Sequence, residues 1–342
     1  MRIDSLSEEF SPLITKEFAN FFRDKRILIT GGSGLLGSNF AELFQTYTDT
    51  FSGNIDLNLI SKTGIFPFKL SRGTSIIQQD LTSSNLPKSI GKFDIIIHCA
   101  GYGQPAKFQQ NPLKTIHLNT TTTLELSTLL KSKGSFLFMS SSEVYSGLSK
   151  PPFSEEDIGT TNTNHSRSSY IESKRTGESI IAAMQSEFPD IHSSAARLAL
   201  AYGPGAKNGD NRVLYELIKR GLDERKLVLR DSGKAIRTYC YISDAIEHCL
   251  HILMRGSEHV YNVGGRSRVS IKELAELIGN ILDIPVTIPE DSGDFLSDAP
   301  KDVWLDLTKI ERLSGKATYV SINEGLLKTI SWIKARDSKL EL

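Results

Sequence analysis

Short apolar runs alternate with longer amphipathic segments from residue 26 onward. The apolar runs, rich in Ile, Leu and Phe, read "RILIT", "IDLNLIS", "TSIIQQ", "FDIIIHCA" and "SFLFMSSS". The segments between them include "GLLGSNFAELFQTY" and "LKTIHLNTTTTLELSTLLK", whose apolar residues recur with helical spacing. Strands that alternate with helices predict an α/β protein with a doubly wound parallel sheet covered on both faces.

The alternation weakens after "AARLALAYGPG", where shorter pieces follow. We expect a helix near "NRVLYELIKRGL", a strand near "KLVLR", and further helices in "SDAIEHCLHILM" and "SIKELAELIGNIL". The predicted divisions are an N-terminal extension at 1–25, a main domain at 26–200 and a smaller lobe that is mainly 201–342, with an interleaved boundary. In the extension, Phe18, Phe21 and Phe22 suit a short amphipathic helix that packs on the domain.

The charge balance excludes two classes of partner. The 342 residues carry 40 basic and 40 acidic side chains, so nothing predicts binding to nucleic acid or to a membrane surface. The start "MRIDSLSEEF" lacks the features of a secretory signal, and no apolar stretch is long enough to span a bilayer. A cytoplasmic protein with a small-molecule ligand is the expectation.

The cysteines and histidines predict neither a disulfide framework nor a metal site. Cys99, Cys240 and Cys249 are odd in number and show no C-x-x-C spacing, which suits a reducing compartment. The seven histidines are scattered without metal-ligand spacing, and His98 belongs to a predicted buried strand. We interpret them as structural residues.

The turn in "RILITGGSGLLGS" follows the first strand and opens a helix. Glycine there permits a tight turn and close approach of a pyrophosphate to the positive end of the helix. This context predicts a Rossmann-like fold that binds a dinucleotide, NAD or NADP, in preference to a purely structural glycine turn. The predicted cofactor residues here are Gly31, Ser33, Gly34, Leu35, Leu36 and Gly37.

The end of the second strand leaves the choice between NAD and NADP open. The carboxylate that holds the adenosine ribose is expected about 20 residues after the glycines, but Ser61 and Lys62 stand there. Lys62 is either a partner of a 2′-phosphate or a solvated loop lysine. Asp80, followed by Leu81, is either an acceptor for the adenine amino group or an exposed turn aspartate.

Tyr170 and Lys174 lie four residues apart in "SSYIESKR", which places both side chains on one helical face. The strand "SFLFMSSSEVY" turns polar at its carboxyl end, where open α/β sheets bind ligands. Hydride removal from a carbinol requires a base for the hydroxyl proton. A phenol has a pKa of about 10, so we expect the Lys174 ammonium and a positive nicotinamide to lower the pKa of Tyr170. Ser141 would bind the same substrate oxygen. A packed aromatic beside a solvated lysine is the competing interpretation.

Together "TGGSGLLGS", "SSSEVY", "YIESK" and "RLALAYGPG" resemble the extended short-chain dehydrogenase/reductase family of nucleotide-sugar epimerases, dehydratases and decarboxylases. The resemblance implies a Rossmann domain with tightly held NAD, a sugar-nucleotide lobe, and a homodimer built through the helix that bears the tyrosine. It implies the triad Ser141, Tyr170 and Lys174, and it adds to the cofactor site Asp80, Leu81, Ala100, Gly101, Asn119, Tyr170 and Lys174.

Within the family the chain looks most similar to UDP-glucuronate decarboxylases, through "NPLKTIHLNT", "SSSEVY" and "RDSGKAIRTYCYISDAIE". The resemblance implies oxidation of the sugar at C4, loss of CO₂ from the resulting β-keto acid, and return of hydride to C4. It implies that Glu143 acts near C5 and that Ser142, Glu143 and Arg237 contact the substrate. The chain departs from these enzymes at Leu200, where they have Asn, and at Gly205, where they have Arg.

Three other functions stay open. Dehydratases that act at C4 and C6 carry Asp directly before the glutamate, where this chain has Ser142, and C4 epimerases carry a small or neutral residue in place of Glu143. A cofactor-sensing protein without catalysis would not need the Ser, Tyr and Lys triad. The sequence therefore favours decarboxylation of a UDP-hexuronate over these alternatives.

Overall fold

The computed structural model describes residues 6–83, 86, 90–289 and 302–338. The strands are β1 (Lys25–Thr30), β2 (Ile55–Ser61), β3 (Ser75–Gln78), β4 (Phe93–His98), β5 (Leu130–Ser141), β6 (His192–Leu198), β7 (Leu200–Tyr202), β8 (Leu227–Val228), β9 (Ile236–Tyr241), β10 (Val260–Val263), β11 (Ser267–Ser270) and β12 (Val286–Thr287). The helices are α1 (Ser7–Phe10), α2 (Lys16–Phe22), α3 (Leu35–Phe51), α4 (Pro105–Gln110), α5 (Pro112–Asn119), α6 (Thr121–Ser127), α7 (Ser168–Glu187), α8 (Val213–Glu224), α9 (Ile242–Arg255), α10 (Ile271–Leu282), α11 (Thr308–Ser314) and α12 (Ile322–Ser338).

The main sheet of the described residues has seven strands in the order β10-β6-β5-β4-β1-β2-β3. Every neighbouring pair in it is parallel. The apolar runs become strands because helices cover both faces, so consecutive residues such as Ile27, Leu28 and Ile29 are all fully buried. The predicted doubly wound, Rossmann-like fold is confirmed.

The strand order reverses between β1 and β4, which follow each other in space but not in sequence. At such a point the connections leave the sheet in opposite directions, and a crevice opens at the carboxyl ends of the strands. The glycine turn follows β1, and Ala100 and Gly101 follow β4. The predicted cofactor residues therefore meet at this crevice.

The chain returns to the main sheet after residue 200. Strand β10 pairs with β6, and helix α9 packs against β5 and β6. The smaller lobe contains a three-stranded sheet in the order β11-β9-β7 and a two-stranded sheet of β12 and β8. The two parts of the chain are thus interleaved, and residue 200 does not divide the main sheet from the lobe.

The N-terminal extension packs on the main domain through aromatic side chains. Phe18 and Phe22 of α2 are fully buried, and their rings contact Tyr47 and Phe44 of α3 at centroid distances of 5.2 and 5.1 Å. Thr15 begins α2 by accepting a hydrogen bond from the amide of Phe18. The segment thus packs against α3 through these rings.

The segment "LKTIHLNTTTTLELSTLLK" is helical over most of its length, as its spacing predicts, but it forms two helices, α5 and α6, and its last residues belong to a strand. The structure breaks it at Thr120, which has φ −118° and ψ −75°, and residues from Leu130 onward belong to β5. Threonine loses rotamer freedom in a helix, and its hydroxyl competes for helical carbonyls. Here the Thr120 hydroxyl donates to the carbonyl of Ile116, and the Thr123 hydroxyl donates to that of Asn119.

Among the helices of the described residues, none combines the length and the apolar character that crossing a bilayer requires.

Candidate active site

The glycine turn after β1 has room for backbone only. Gly31 has φ +66°, and a Cβ there would lie 2.8 Å from the backbone of Ala100. A Cβ on Gly37 would lie 2.4 Å from the carbonyl oxygen of Gly31. Any larger residue would push the turn away from β4, so these two glycines keep the strand, the turn and the helix in contact.

The first turn of α3 is arranged to receive an anion. Gly34 precedes the helix, and no side chain caps its amides. The first amides of a helix have no partner within the helix and point toward the positive end of its dipole. Ser33, Leu35 and Leu36 lie at this turn, as predicted from the sequence. The site therefore fits the pyrophosphate of a dinucleotide.

The adenosine end of the crevice is built from hydroxyl groups and one ion pair. The Ser61 hydroxyl donates to the Ser33 hydroxyl across 2.8 Å, and both residues are buried. Lys62 Nζ lies 2.8 Å from Asp80 Oδ2. Burial raises the pKa of Asp80, but the hydrogen bonds from Lys62 and Thr82 outweigh it and lower that pKa to about 2. Lys62 thus neutralises Asp80, and Leu81 beside them is buried in the core.

The residues after β4 lie near α7, the helix that bears Tyr170 and Lys174. A Cβ on Gly101 would lie 3.7 Å from Lys174 Nζ and 3.8 Å from Asn119 Oδ1. Asn119 Nδ2 donates to the Ser173 hydroxyl, while Asn119 Oδ1 is buried and has no hydrogen-bond partner among the described residues. A buried acceptor without a partner is unfavourable unless a ligand supplies the donor. This orphaned oxygen fits a hydroxyl of a bound cofactor.

Tyr170 and Ser141 meet at the carboxyl end of β5. Ser141 is the last residue of the strand, and its side chain lies near enough to the Tyr170 hydroxyl to lower the pKa of that group. The Tyr170 ring stacks on Phe108 of α4, with centroids 4.5 Å apart and planes 9° from parallel. The hydroxyl therefore faces the strand end, where a substrate oxygen would bind, and the ring is held by Phe108.

Burial is the largest influence on the pKa values of both Tyr170 and Lys174. Burial raises the pKa of Tyr170 to about 12, although the side chain of Ser141 opposes it. Lys174 Nζ donates to the carbonyl of Met139 at 2.6 Å and lies 5.7 Å from the centroid of the Tyr170 ring. Burial also lowers the pKa of Lys174 to about 7. Lys174 alone therefore does not produce a phenolate.

Glu143 is held by an arginine that the sequence analysis missed. Glu143 lies in the 3-10 turn Ser142–Tyr145 that follows β5. Both of its carboxylate oxygens accept hydrogen bonds from Arg167. The Arg167 Nε lies 3.0 Å from Glu143 Oε2, and the guanidinium lies over the ring of Phe108. A bidentate pair of this kind fixes the orientation of the carboxylate. Ser142 begins the same turn and is partly buried.

Arg237 lies close to this pair. It belongs to β9 of the smaller lobe and is partly buried, and burial lowers the pKa of its guanidinium. The negative charge of Glu143 raises the pKa of Arg237, and the positive charge of Arg167 lowers it. The predicted substrate residues Glu143 and Arg237 are therefore brought to one cleft from two different sheets.

Four residues of the site escaped the sequence analysis: Phe108, Arg167, Lys207 and Arg212. Arg167 precedes Tyr170 by three residues, and this helical spacing could have placed it beside Tyr170 from the sequence alone. The other three come from loops or short segments that only the fold brings to the site. Arg212 pairs with Asp210, and its charge acts on the pKa of Tyr170.

A buried network of hydrogen bonds around the Arg197–Glu178 ion pair includes Ser140 of β5. Arg197 Nη2 lies 2.8 Å from Glu178 Oε2, and the Ser140 hydroxyl donates to the other oxygen of Glu178. Arg197 also donates to the Tyr145 hydroxyl, which donates to Asn262 of β10. The network links α7, β6 and the turn that carries Glu143, and it fixes the segments on which the site is built.

The remaining reactive residues have structural surroundings. His98 Nε2 lies 3.0 Å from the carbonyl oxygen of Leu118, its Nδ1 lies 2.6 Å from the Thr30 hydroxyl, and burial lowers its pKa to about 3. Cys99, Cys240 and Cys249 are thiols, and burial raises the pKa of each. Within the described residues no group of His, Cys, Asp or Glu side chains could hold a metal ion.

The sheet order, the glycine turn and the meeting of Ser141 with Tyr170 define an enzyme of the extended short-chain dehydrogenase/reductase class. The chain belongs to the NAD dependent epimerase/dehydratase family, whose model matches residues 27–264. The resemblance inferred from the motifs is thereby confirmed.

Known relatives extend the similarity over nearly the whole chain. The chain is 30% identical over 327 residues to UDP-glucuronic acid decarboxylase 6 of Arabidopsis thaliana, which covers 92% of this chain and 90% of the relative. It is 30% identical over 341 residues to UDP-glucuronic acid decarboxylase 1 of Xenopus tropicalis, with coverage of 96% and 76%.

Solved structures show the same fold at lower identity. An epimerase of Methanothermobacter thermautotrophicus superposes with a TM-score of 0.82 at 20% identity, covering 97% of this chain and 98% of the other. A UDP-glucuronic acid 4-epimerase of Bacillus cereus, in complex with UDP-glucuronic acid and NAD, superposes with a TM-score of 0.73 at 22% identity, with coverage of 90% and 99%.

Proposed function

We propose that the protein is an NAD-dependent enzyme that oxidises a nucleotide sugar at C4 and decarboxylates a UDP-hexuronate. One observation carries the choice of an acidic sugar: Arg237 of the smaller lobe lies near the Arg167–Glu143 pair, which is beside Tyr170. A guanidinium can bind a carboxylate through two parallel hydrogen bonds, so Arg237 at this place favours a substrate that brings its own carboxylate.

The relatives support the same choice. Curated proteins at 30% identity over more than nine-tenths of the chain are UDP-glucuronic acid decarboxylases. The glycine turn and the orphaned oxygen of Asn119 fit a dinucleotide at the crevice. NAD, when bound, supplies a positively charged nicotinamide that takes hydride from C4, returns it at the end and favours the phenolate of Tyr170.

Tyr170 and Ser141 act on the C4 hydroxyl in this proposal. The hydroxyl proton passes to Tyr170 as hydride leaves C4, and the C4 carbon becomes a ketone. Ser141 holds the same oxygen through a hydrogen bond. Phe108 keeps the Tyr170 ring in place, and Lys174 is fixed behind it by the carbonyl of Met139. At the end of the cycle Tyr170 returns the proton to the C4 oxygen.

The new ketone lies β to the C6 carboxylate, so the bond between C5 and C6 breaks with release of CO₂. The electron pair of that bond delocalises into the ketone, and a proton then adds at C5. Glu143 acts near C5, and Arg167 fixes the orientation of its carboxylate. Arg237 receives the sugar carboxylate before it is lost. The sugar is oxidised and reduced once each, so no external oxidant is consumed.

A panel of sugar nucleotides tests this proposal. The purified protein is incubated with UDP-, dTDP-, GDP- and CDP-sugars, and product masses are followed. We expect loss of CO₂ from UDP-glucuronate. Loss of water from a neutral hexose would instead identify a dehydratase, an epimer of unchanged mass would identify an epimerase, and the absence of any turnover would leave a cofactor sensor.

The Glu143→Gln variant tests the role of the acidic residue within the same assay. We expect kcat to fall by about 100-fold with cofactor affinity unchanged, because a positioned acid or base contributes that much. Glu172→Gln, on the exposed side of α7, is the matched control and should keep its activity. A Glu143→Gln variant as active as the control would exclude a role for Glu143 near C5.

The proposal includes a homodimer and a cytoplasmic location. Helices α5 and α6, which pack against α7, expose the apolar side chains Leu113, Ile116 and Leu124. A second copy would bury this face. Sedimentation equilibrium should give a dimer mass, and a Leu113→Arg variant should shift it toward the monomer; a monomeric native chain would contradict the proposal. The three free thiols suit a reducing cytoplasm.

A further inference from the structure

A lysine of the smaller lobe reaches the glycine turn of the cofactor site. Lys207 lies in the loop between β7 and α8, 174 residues away from Ser33 in sequence. Its Nζ donates to the Ser33 hydroxyl at 2.9 Å. Ser33 is only 3% exposed, so the ammonium reaches into the turn although the rest of the lysine is exposed.

The loop that carries Lys207 is fixed against α3. Asn39 Nδ2 donates to the carbonyl of Pro204 at 2.9 Å, and a Cβ on Gly205 would lie 2.8 Å from the same nitrogen. Arg336 of α12 donates to the carbonyl of Ala206 from the other side. The position of Lys207 is thus set by contacts on both sides of its loop.

The charge of Lys207 is not neutralised within the described residues. Its ammonium donates to a neutral hydroxyl, and no carboxylate of the described residues raises its pKa. Burial and the neighbouring charge of Lys107 lower that pKa instead. Lys62, by contrast, is paired with Asp80. Lys207 is therefore the cation that remains available for an anion at this end of the crevice.

The Lys207 ammonium lies at the place expected for the 2′ position of the adenosine ribose. Ser33 is hydrogen-bonded to Ser61, and Ser61 ends β2, where NAD enzymes of this fold carry the carboxylate that binds the ribose 2′-hydroxyl. A carboxylate there would repel a 2′-phosphate. Two serine hydroxyls with a lysine ammonium instead offer hydrogen bonds and charge to a phosphate.

We propose that Ser33, Ser61 and Lys207 form a binding site for the 2′-phosphate of NADP, so that the protein binds NADP(H) as well as NAD(H). The inference rests on the proposed function in one respect, which is that a nicotinamide dinucleotide occupies the glycine turn. It goes beyond that function because it adds a phosphate subsite and names the residues that select the cofactor.

Binding of NADPH and NADH to the full-length protein, freed of bound nucleotide, tests the subsite through nicotinamide fluorescence. We expect the protein to bind NADPH as well as NADH. Lys207→Met should weaken NADPH by about 10-fold or more and leave NADH within about 2-fold, because a hydrogen bond to a charged group is lost for NADPH alone. Ser61→Asp should weaken NADPH and not NADH. Lys219→Met, on the exposed face of α8, is the matched control.

The outcomes separate the subsite from the function it rests on. Tight binding of NADH with NADPH at least 10-fold weaker would overturn the subsite and leave the proposed function intact. Equal weakening of both nucleotides in Lys207→Met would also overturn it, since the lysine would then act on the shared pyrophosphate. Failure of the native protein to bind either nucleotide would overturn both the subsite and the proposed function.

Discussion

The Tyr170→Phe variant is expected to lose turnover by about 10²- to 10⁴-fold, because the sugar hydroxyl then has no group to take its proton. The buried ring should keep its stack on Phe108, so the fold and cofactor binding should be retained. The measurements are kcat from product formation and the cofactor dissociation constant from nicotinamide fluorescence. A loss of activity together with unchanged cofactor binding would support the role of the hydroxyl.

Tyr319→Phe is the matched control for this substitution. It also removes a phenolic hydroxyl that is hydrogen-bonded, in this case to Glu311 at 2.9 Å, but in the segment between α11 and α12. Its kcat should stay within about 3-fold of the native value. A Tyr170→Phe variant that keeps more than one tenth of the native kcat would remove Tyr170 as the base.

The Glu178→Ala variant is expected to lower the free energy of unfolding by about 3–5 kcal/mol, since it leaves the buried Arg197 guanidinium without its partner. The side chains of Arg197 and Glu178 are 11% and 9% exposed, so solvent replaces little of the lost interaction. Burial lowers the pKa of Arg197, but the hydrogen bond and charge of Glu178 outweigh it. Urea unfolding followed by circular dichroism measures the change.

Two further variants separate loss of the ion pair from loss of the side chain. The double variant Glu178→Leu with Arg197→Met removes both charges and should recover most of the stability, since replacing a buried pair by apolar residues is often neutral. Glu172→Ala breaks the more exposed pair with Arg175 on the same helix and should cost less than about 1 kcal/mol. Equal losses for Glu178→Ala and Glu172→Ala would show that the buried network does not stabilise the protein.

The sequence was most informative where one local rule controls the outcome. The apolar runs became β1 to β5, and the inner strands among them are continuous in apolar residues because helices cover both faces of the sheet. Gly31 and Gly37 were found because a Cβ does not fit the turn, and the structure gives the same reason in distances. Tyr170 and Lys174 were found because α7 places residues four apart on one face.

The sequence was least informative where the burial or the hydrogen-bond partner of a residue depends on another segment of the chain. The spacing placed Lys174 beside Tyr170, but it did not show that the Lys174 ammonium donates to the carbonyl of Met139 or that burial is the largest influence on both pKa values. The helical spacing did not show that the segment divides into α5 and α6 at Thr120, where side-chain hydroxyls compete for helical carbonyls. Spacing along the chain describes neither burial nor the partner that a polar group finds.

The sequence by itself determined the parallel sheet, the dinucleotide turn and the pairing of a phenol with an amine, because each follows from periodicity or from backbone space within one short segment. Only the tertiary structure decided that Arg167 clamps Glu143, that β10 rejoins the main sheet, and that Lys207 reaches Ser33. These contacts join residues whose separation in sequence carries no signal. They exist because the loops at the carboxyl ends of the strands converge on one crevice, and that convergence is a property of the folded sheet.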